Sequence, residues 1–131
     1  MPLKAEERTA AQEVLRAARE LLLADRWCQG QRALTALGNE TKPSDPSAVS
    51  FCIVGALRCA ERELGKDVLP AVHVLYEALV RLYDWNTPFP WSDEHVPTKV
   101  ERLEEWNDGV AQDPHDVLSL YDRAIGLLEG C

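Results

Sequence analysis

No apolar run in this chain approaches the ~20 residues of a bilayer span, so no membrane-embedded segment is expected. Its seven glycines stand apart, with neither GxxxxGK nor GxGxxG, which argues against a nucleotide-binding enzyme built on those loops. HExxH, Cys-x-x-Cys and histidines paired at helical spacing are missing, and the common zinc sites are missing with them. Where a signal peptide would place its apolar stretch, the start reads Met1-Pro2-Leu3-Lys4-Ala5-Glu6-Glu7-Arg8; a cytoplasmic location is the expectation. Strand-like alternation is scarce as well, and apolar spacings of three and four dominate.

The chain has 131 residues, 46% of them hydrophobic. A domain of this size buries roughly two thirds of its unfolded surface, so one domain over residues 1–131 is expected, with no metal or disulfide needed to fold. Of the four cysteines, Cys52 and Cys59 lie seven apart. On one helix that is about 10 Å at ~1.5 Å per residue, too far for a disulfide. Free thiols acting as small apolar groups are expected.

The helical spacing predicts an all-α fold, a compact bundle of about five helices with an irregular aromatic-rich loop between helices 3 and 4. A first helix from about Lys4 to Asp25 carries the stripe Ala10, Val14, Ala17, Leu21 and Leu22. A short helical piece is expected at Gln31–Leu37, then a loop over 38–44. Asp45-Pro46 reads as an N-cap before a first-turn proline, so the second helix is expected from there to Leu64, stopped by Gly65. The third is expected from Asp67 to about Tyr83, the fourth from Pro97 or Thr98 to Trp106. Asn107-Asp108-Gly109 reads as a turn, and Asp113-Pro114 opens a last helix.

Several residues invite a chemical reading. On the expected second helix, Ala48, Cys52, Gly55 and Cys59 align small residues, and an interior glycine is easiest to understand beside a close helix backbone. Cys52, a histidine (His73 or His95) and Asn107 follow the order of papain-like nucleophile sites. Yet Cys52 is expected about two turns into its helix, away from the N-terminal dipole that lowers a thiol pKa. Asp93-Glu94-His95 and His115-Asp116 offer metal donors without a known ligand spacing, so neither a metal nor a cofactor is expected. Trp85, Phe89, Trp91 and Trp106 either close the core or, where exposed, serve as interface anchors.

Charge is unevenly placed. The formal net charge is −8, and residues 91–116 hold eight acids (Asp93, Glu94, Glu101, Glu104, Glu105, Asp108, Asp113 and Asp116) against Lys99 and Arg102. That stretch repels phosphate, so no direct nucleic-acid contact is expected through it. It would attract a basic protein surface, or simply keep the domain soluble.

Trp27-Cys28-Gln29-Gly30, Phe51-Cys52-Ile53-Val54-Gly55-Ala56-Leu57 and Trp106-Asn107-Asp108 together resemble the WxxG, FCxxGAL and WND motifs of a family of short bacterial and phage proteins of unknown function. The resemblance spans roughly residues 14–128. It implies a helix at FCxxGAL and a last helix after WND, implies no activity, and suggests that Asn107 and Asp108 matter beyond a turn. Read from the residues themselves, Trp27, Cys52, Gly55, Trp106 and Asn107 are structural.

Three functions remain open from the sequence. One is a non-catalytic acidic module binding a basic protein partner through Trp85, Phe89, Trp91, Asp93, Glu94, Glu101, Glu104, Glu105 and Asp108. Another is a mobile-element inhibitor that mimics phosphate charge on a nucleic-acid-binding defence protein. The third is a small thiol-dependent hydrolase centred on Cys52. Oligomeric state is left open.

Overall fold

The computed structural model of the chain describes residues 3–23, 26–82 and 98–129. The expected aromatic loop lies outside the described residues, and with it Trp85, Phe89, Trp91, Asp93, Glu94 and His95. Among the described residues five helices and three short strands follow in the order α1 (Ala5–Leu22), β1 (Ala33–Thr35), β2 (Glu40–Thr41), β3 (Ala48–Phe51), α2 (Ile53–Leu64), α3 (Leu69–Val80), α4 (Lys99–Gly109) and α5 (Pro114–Glu129). The fold is therefore mostly helical but not all-α.

The sheet is the main departure from expectation. Its order is β2-β1-β3, antiparallel throughout. β1 replaces the helical piece expected at Gln31–Leu37, and β2 falls within the expected loop. Ala33 pairs with Thr41 on one side and Phe51 on the other. Leu34 opposes Ser50 while Thr35 opposes Ala48, leaving Val49 as the extra residue of a bulge. Strands this short and bulged leave almost no period-two signature, which is why they escaped the spacing argument.

The second helix starts seven residues later than Asp45-Pro46 suggested, at Ile53 with Cys52 as its cap. Asp45 does cap, but it caps a turn: its Oδ1 accepts the Ser47 N–H at 2.8 Å and the Ser47 hydroxyl at 2.7 Å. Asp-Pro serves turns as readily as helix starts. The chain then runs extended through Ala48–Phe51, and Cys52 caps α2, its Sγ accepting the Gly55 N–H at 3.3 Å. Cys52 thus lies at the helix N-terminus, not two turns inside, and Ala48 belongs to a strand, so the four small residues do not share one helix. The far end is as expected: Gly65 takes φ 64°, the left-handed stop.

Ile53 to Leu57 are buried without a break, which places the first turns of α2 at the centre of the core. α1 packs on α2, α3 and α5, while α4 contacts α2 and α3. The buried stripe of α1 is Ala11, Val14, Leu15, Ala18 and Leu22, turned by about one position from the expected one. In α5 Val117, Leu120, Tyr121, Ala124, Ile125 and Leu128 are buried. Asn107, Asp108 and Gly109 form the last turn of α4 rather than a loop. No helix among the described residues is long and apolar enough to cross a membrane.

Candidate functional site

The junction between α2, α4 and the segment before β1 gathers residues from all three motifs. Asn107, with no exposed surface, is the only polar side chain buried fully among the described residues. Its Oδ1 accepts the Trp27 indole N–H at 2.7 Å and the Ile53 N–H at 3.0 Å. Its Nδ2 donates to the Cys28 carbonyl at 3.2 Å and to Asp108 Oδ1 at 2.8 Å. All four hydrogen-bonding positions of the amide are filled. Ile53 is the first residue of α2, whose N–H has no partner within the helix; a side chain from α4 supplies one. The Tyr121 hydroxyl of α5 donates to the Ile53 carbonyl at 2.7 Å.

Around this amide the other motif residues lock the same joint. Gln29 Nε2 donates to the carbonyls of Asn107 and Ala111 at 2.9 and 3.0 Å, and Asp108 Oδ1 accepts the Gly30 N–H at 2.9 Å. Cys28 N–H donates to the Phe51 carbonyl and Cys52 N–H to the Arg32 carbonyl, at 3.0 and 3.1 Å. Gly55 meets that same Arg32 carbonyl: a Cβ there would lie 1.8 Å from the oxygen. The close approach inferred from Gly55 is therefore real, but its partner is the chain before β1, not a helix. Trp106 is 4% exposed and packs in the core.

A cleft of about 380 Å³ opens beside this joint, lined by Gly30, Cys52 and Asp108, one from each motif, and by Arg32, Lys42 and Glu104 among others. Arg32 Nε binds Glu104 Oε2 at 2.8 Å across it. Cys52 is buried there, and burial, against the hydrogen bonds of the α2 N-terminus and with Glu104 and Asp108 adding to it, pushes its thiol up to about 11. Burial, with the Cys52 charge next, pushes Cys28 up to about 12. At both cysteines burial thus favours the neutral thiol over the reactive thiolate.

Of the two histidines expected beside Cys52, His95 lies outside the described residues and His73 is engaged by Lys99. His73, on α3, has its Nδ1 2.7 Å from the Lys99 ammonium; His115 is exposed in the first turn of α5. Among the described residues no group of three or more His, Cys, Asp or Glu side chains is placed to hold a metal ion.

The acidic residues of α4 face outward. Glu101, Glu104, Glu105 and Asp108 line one open groove of about 470 Å³. Of these, Glu104 is paired with Arg32 and Asp108 with the Gly30 N–H. Sequence reasoning missed Arg32, Gln29 and Tyr121. Only the strain implied by a mid-helix glycine hinted at the first, and nothing local marks the other two.

The architecture is that of a small, mostly helical domain in which three separated motifs close a buried joint under an acidic helix. The chain belongs to a family of unknown function, DUF6197, which matches it over residues 6–127. No curated protein and no solved structure matches it.

Proposed function

We propose that the protein is a non-catalytic acidic interaction module that docks a basic protein partner on the outward face of α4. The observation that carries this reading is the groove lined by Glu101, Glu104, Glu105 and Asp108, spaced to share one side of a helix. Carboxylates so gathered attract a cationic surface and raise its rate of encounter. They repel a phosphate backbone, so the partner is a protein. Support also comes from below: Asn107, Asp108 and Gln29 fix α4 to the core, and a rigid face loses little freedom on binding. Asp93, Glu94, Trp85, Phe89 and Trp91 join the proposal on sequence grounds alone.

The test compares proteins retained from a host lysate by three immobilised forms. These are wild type, Glu101→Gln with Glu105→Gln, and a control with Glu6→Gln and Glu20→Gln on α1. A partner held by wild type and control, lost from the α4 variant and released by high salt, supports the proposal. Equal retention by all three forms, or none at low salt, refutes it. If DNA displaces that partner from the module, the partner is a nucleic-acid-binding protein and the charge-mimic form of the proposal holds.

A further inference from the structure

A second groove, of about 600 Å³, carries the opposite charge. Arg32, Lys42, Arg58 and Arg62 line it, with Glu61 the one carboxylate among its described lining residues. That concentration runs against a chain with 22 acids and 14 bases. Arg58 and Arg62 stand one turn apart on α2, so their side chains are neighbours. Lys42 reaches the groove from the loop after β2 and Arg32 from the segment before β1.

Part of this charge is cancelled: Arg32 and Arg58 are ion-paired, and Asp45 interacts electrostatically with Arg62. Lys42 and Arg62 form no ion pair among the described residues, and Arg62 donates to the neutral Ser44 carbonyl. Glu61 accepts the Val68 N–H at 3.0 Å and lies 3.6 Å from Arg58. Arg32 is held by Glu104, its Nε 2.8 Å from Oε2.

Two features limit what fits. Among the described residues no aromatic side chain lines the groove, so it offers a nucleobase no aromatic stacking platform. Its Arg32 and Lys42 also line the neighbouring cleft, which holds Glu40, Glu104 and Asp108. Carboxylates therefore close one end, and a long polyanion would run onto them. Guanidinium forks one turn apart suit adjacent phosphates.

The geometry points to a binding site for a compact polyphosphate group, two or more linked phosphates carried free as pyrophosphate or as the tail of a nucleotide. The site meets the α4 face at the Arg32–Glu104 pair, and its test at Arg58 and Arg62 does not depend on that face.

Calorimetric titration of the whole protein with pyrophosphate at low salt tests the site. Saturable binding is expected, weakened by added salt and roughly tenfold or more by Arg58→Ala with Arg62→Ala. Arg81→Ala, at the C-terminal cap of α3, leaves it unchanged. A thermal melt checks that each variant is folded. A nucleoside diphosphate binding no tighter than pyrophosphate places recognition on the phosphates alone, and one binding tighter makes a nucleotide the source. The site is overturned if neither compound binds at millimolar concentration, or if the folded double variant binds as wild type. It is also overturned if a single-stranded oligonucleotide of about 20 bases binds as tightly.

Discussion

Replacing Gly55 with alanine adds one methyl group at the tightest point of the structure. That carbon would sit 1.8 Å from the Arg32 carbonyl oxygen and 2.8 Å from its carbon. Ordinary contact begins near 3.4 Å, and both obstructing atoms are backbone, so no rotamer change relieves the clash. The segment before β1 must move away, and the Cys52 N–H, at 3.1 Å from the same oxygen, then loses its partner. Overpacking costs about 1–3 kcal/mol. A buried donor left unmade costs about 1–3 kcal/mol more, while alanine in a helix returns only about 1 kcal/mol. The expected net loss is about 1–5 kcal/mol, measured as a lower urea midpoint at unchanged slope. Gly126→Ala is the control: within α5 an added Cβ meets nothing within 4 Å, so a gain of about 0.5–1 kcal/mol is expected. A Gly55→Ala midpoint equal to or above that of wild type would refute the reasoning.

Asn107→Ala leaves the Trp27 indole N–H, the Ile53 N–H and the Cys28 carbonyl without their partner. About 3–5 kcal/mol should be lost in the same urea measurement; a loss below about 1 kcal/mol contradicts the joint. His73 carries a pH effect. Lys99 can only donate, so His73 Nδ1 accepts and the ring is neutral. Burial first, then Lys99, hold its pKa below the ordinary value, while Glu7 opposes them. As pH falls through about 6.5 the unfolded chain takes up a proton that the fold refuses. Stability should therefore drop there and level off once the folded ring is protonated too. His73→Asn should flatten that part of the urea-stability profile, and an unchanged slope would count against the pair.

The helices were legible where apolar spacing was long and the stops chemical: Gly65 after α2, Asp113-Pro114 before α5, Thr98 before α4. Their boundaries failed where one signal serves two structures, as Asp45-Pro46 does. β1 to β3 could not be read, because a strand of two to four residues paired at a distance leaves no period of its own. Gly55 announced a close neighbour without naming it, since a carbonyl contact from Arg32 depends on tertiary placement alone. The order Cys52, histidine, Asn107 looked like a catalytic set. In the fold Asn107 instead spends its whole amide on Trp27, Ile53, Cys28 and Asp108, which only coordinates reveal. The acidity of α4 was visible from composition, but not that Glu104 and Asp108 also hold Arg32 and Gly30.

The central claim is that the motif junction is a structural joint rather than a nucleophilic centre, and alkylation of Cys52 in the folded protein tests it most directly. With Cys28→Ala and Cys59→Ala in place, and any Cys131 label located by peptide mapping, iodoacetamide is added at neutral pH with and without denaturant. Burial and a thiol pKa of about 11 predict modification of Cys52 only in the denatured chain. Rapid modification of Cys52 in the native state, as fast as an unfolded thiol or faster, would contradict the account.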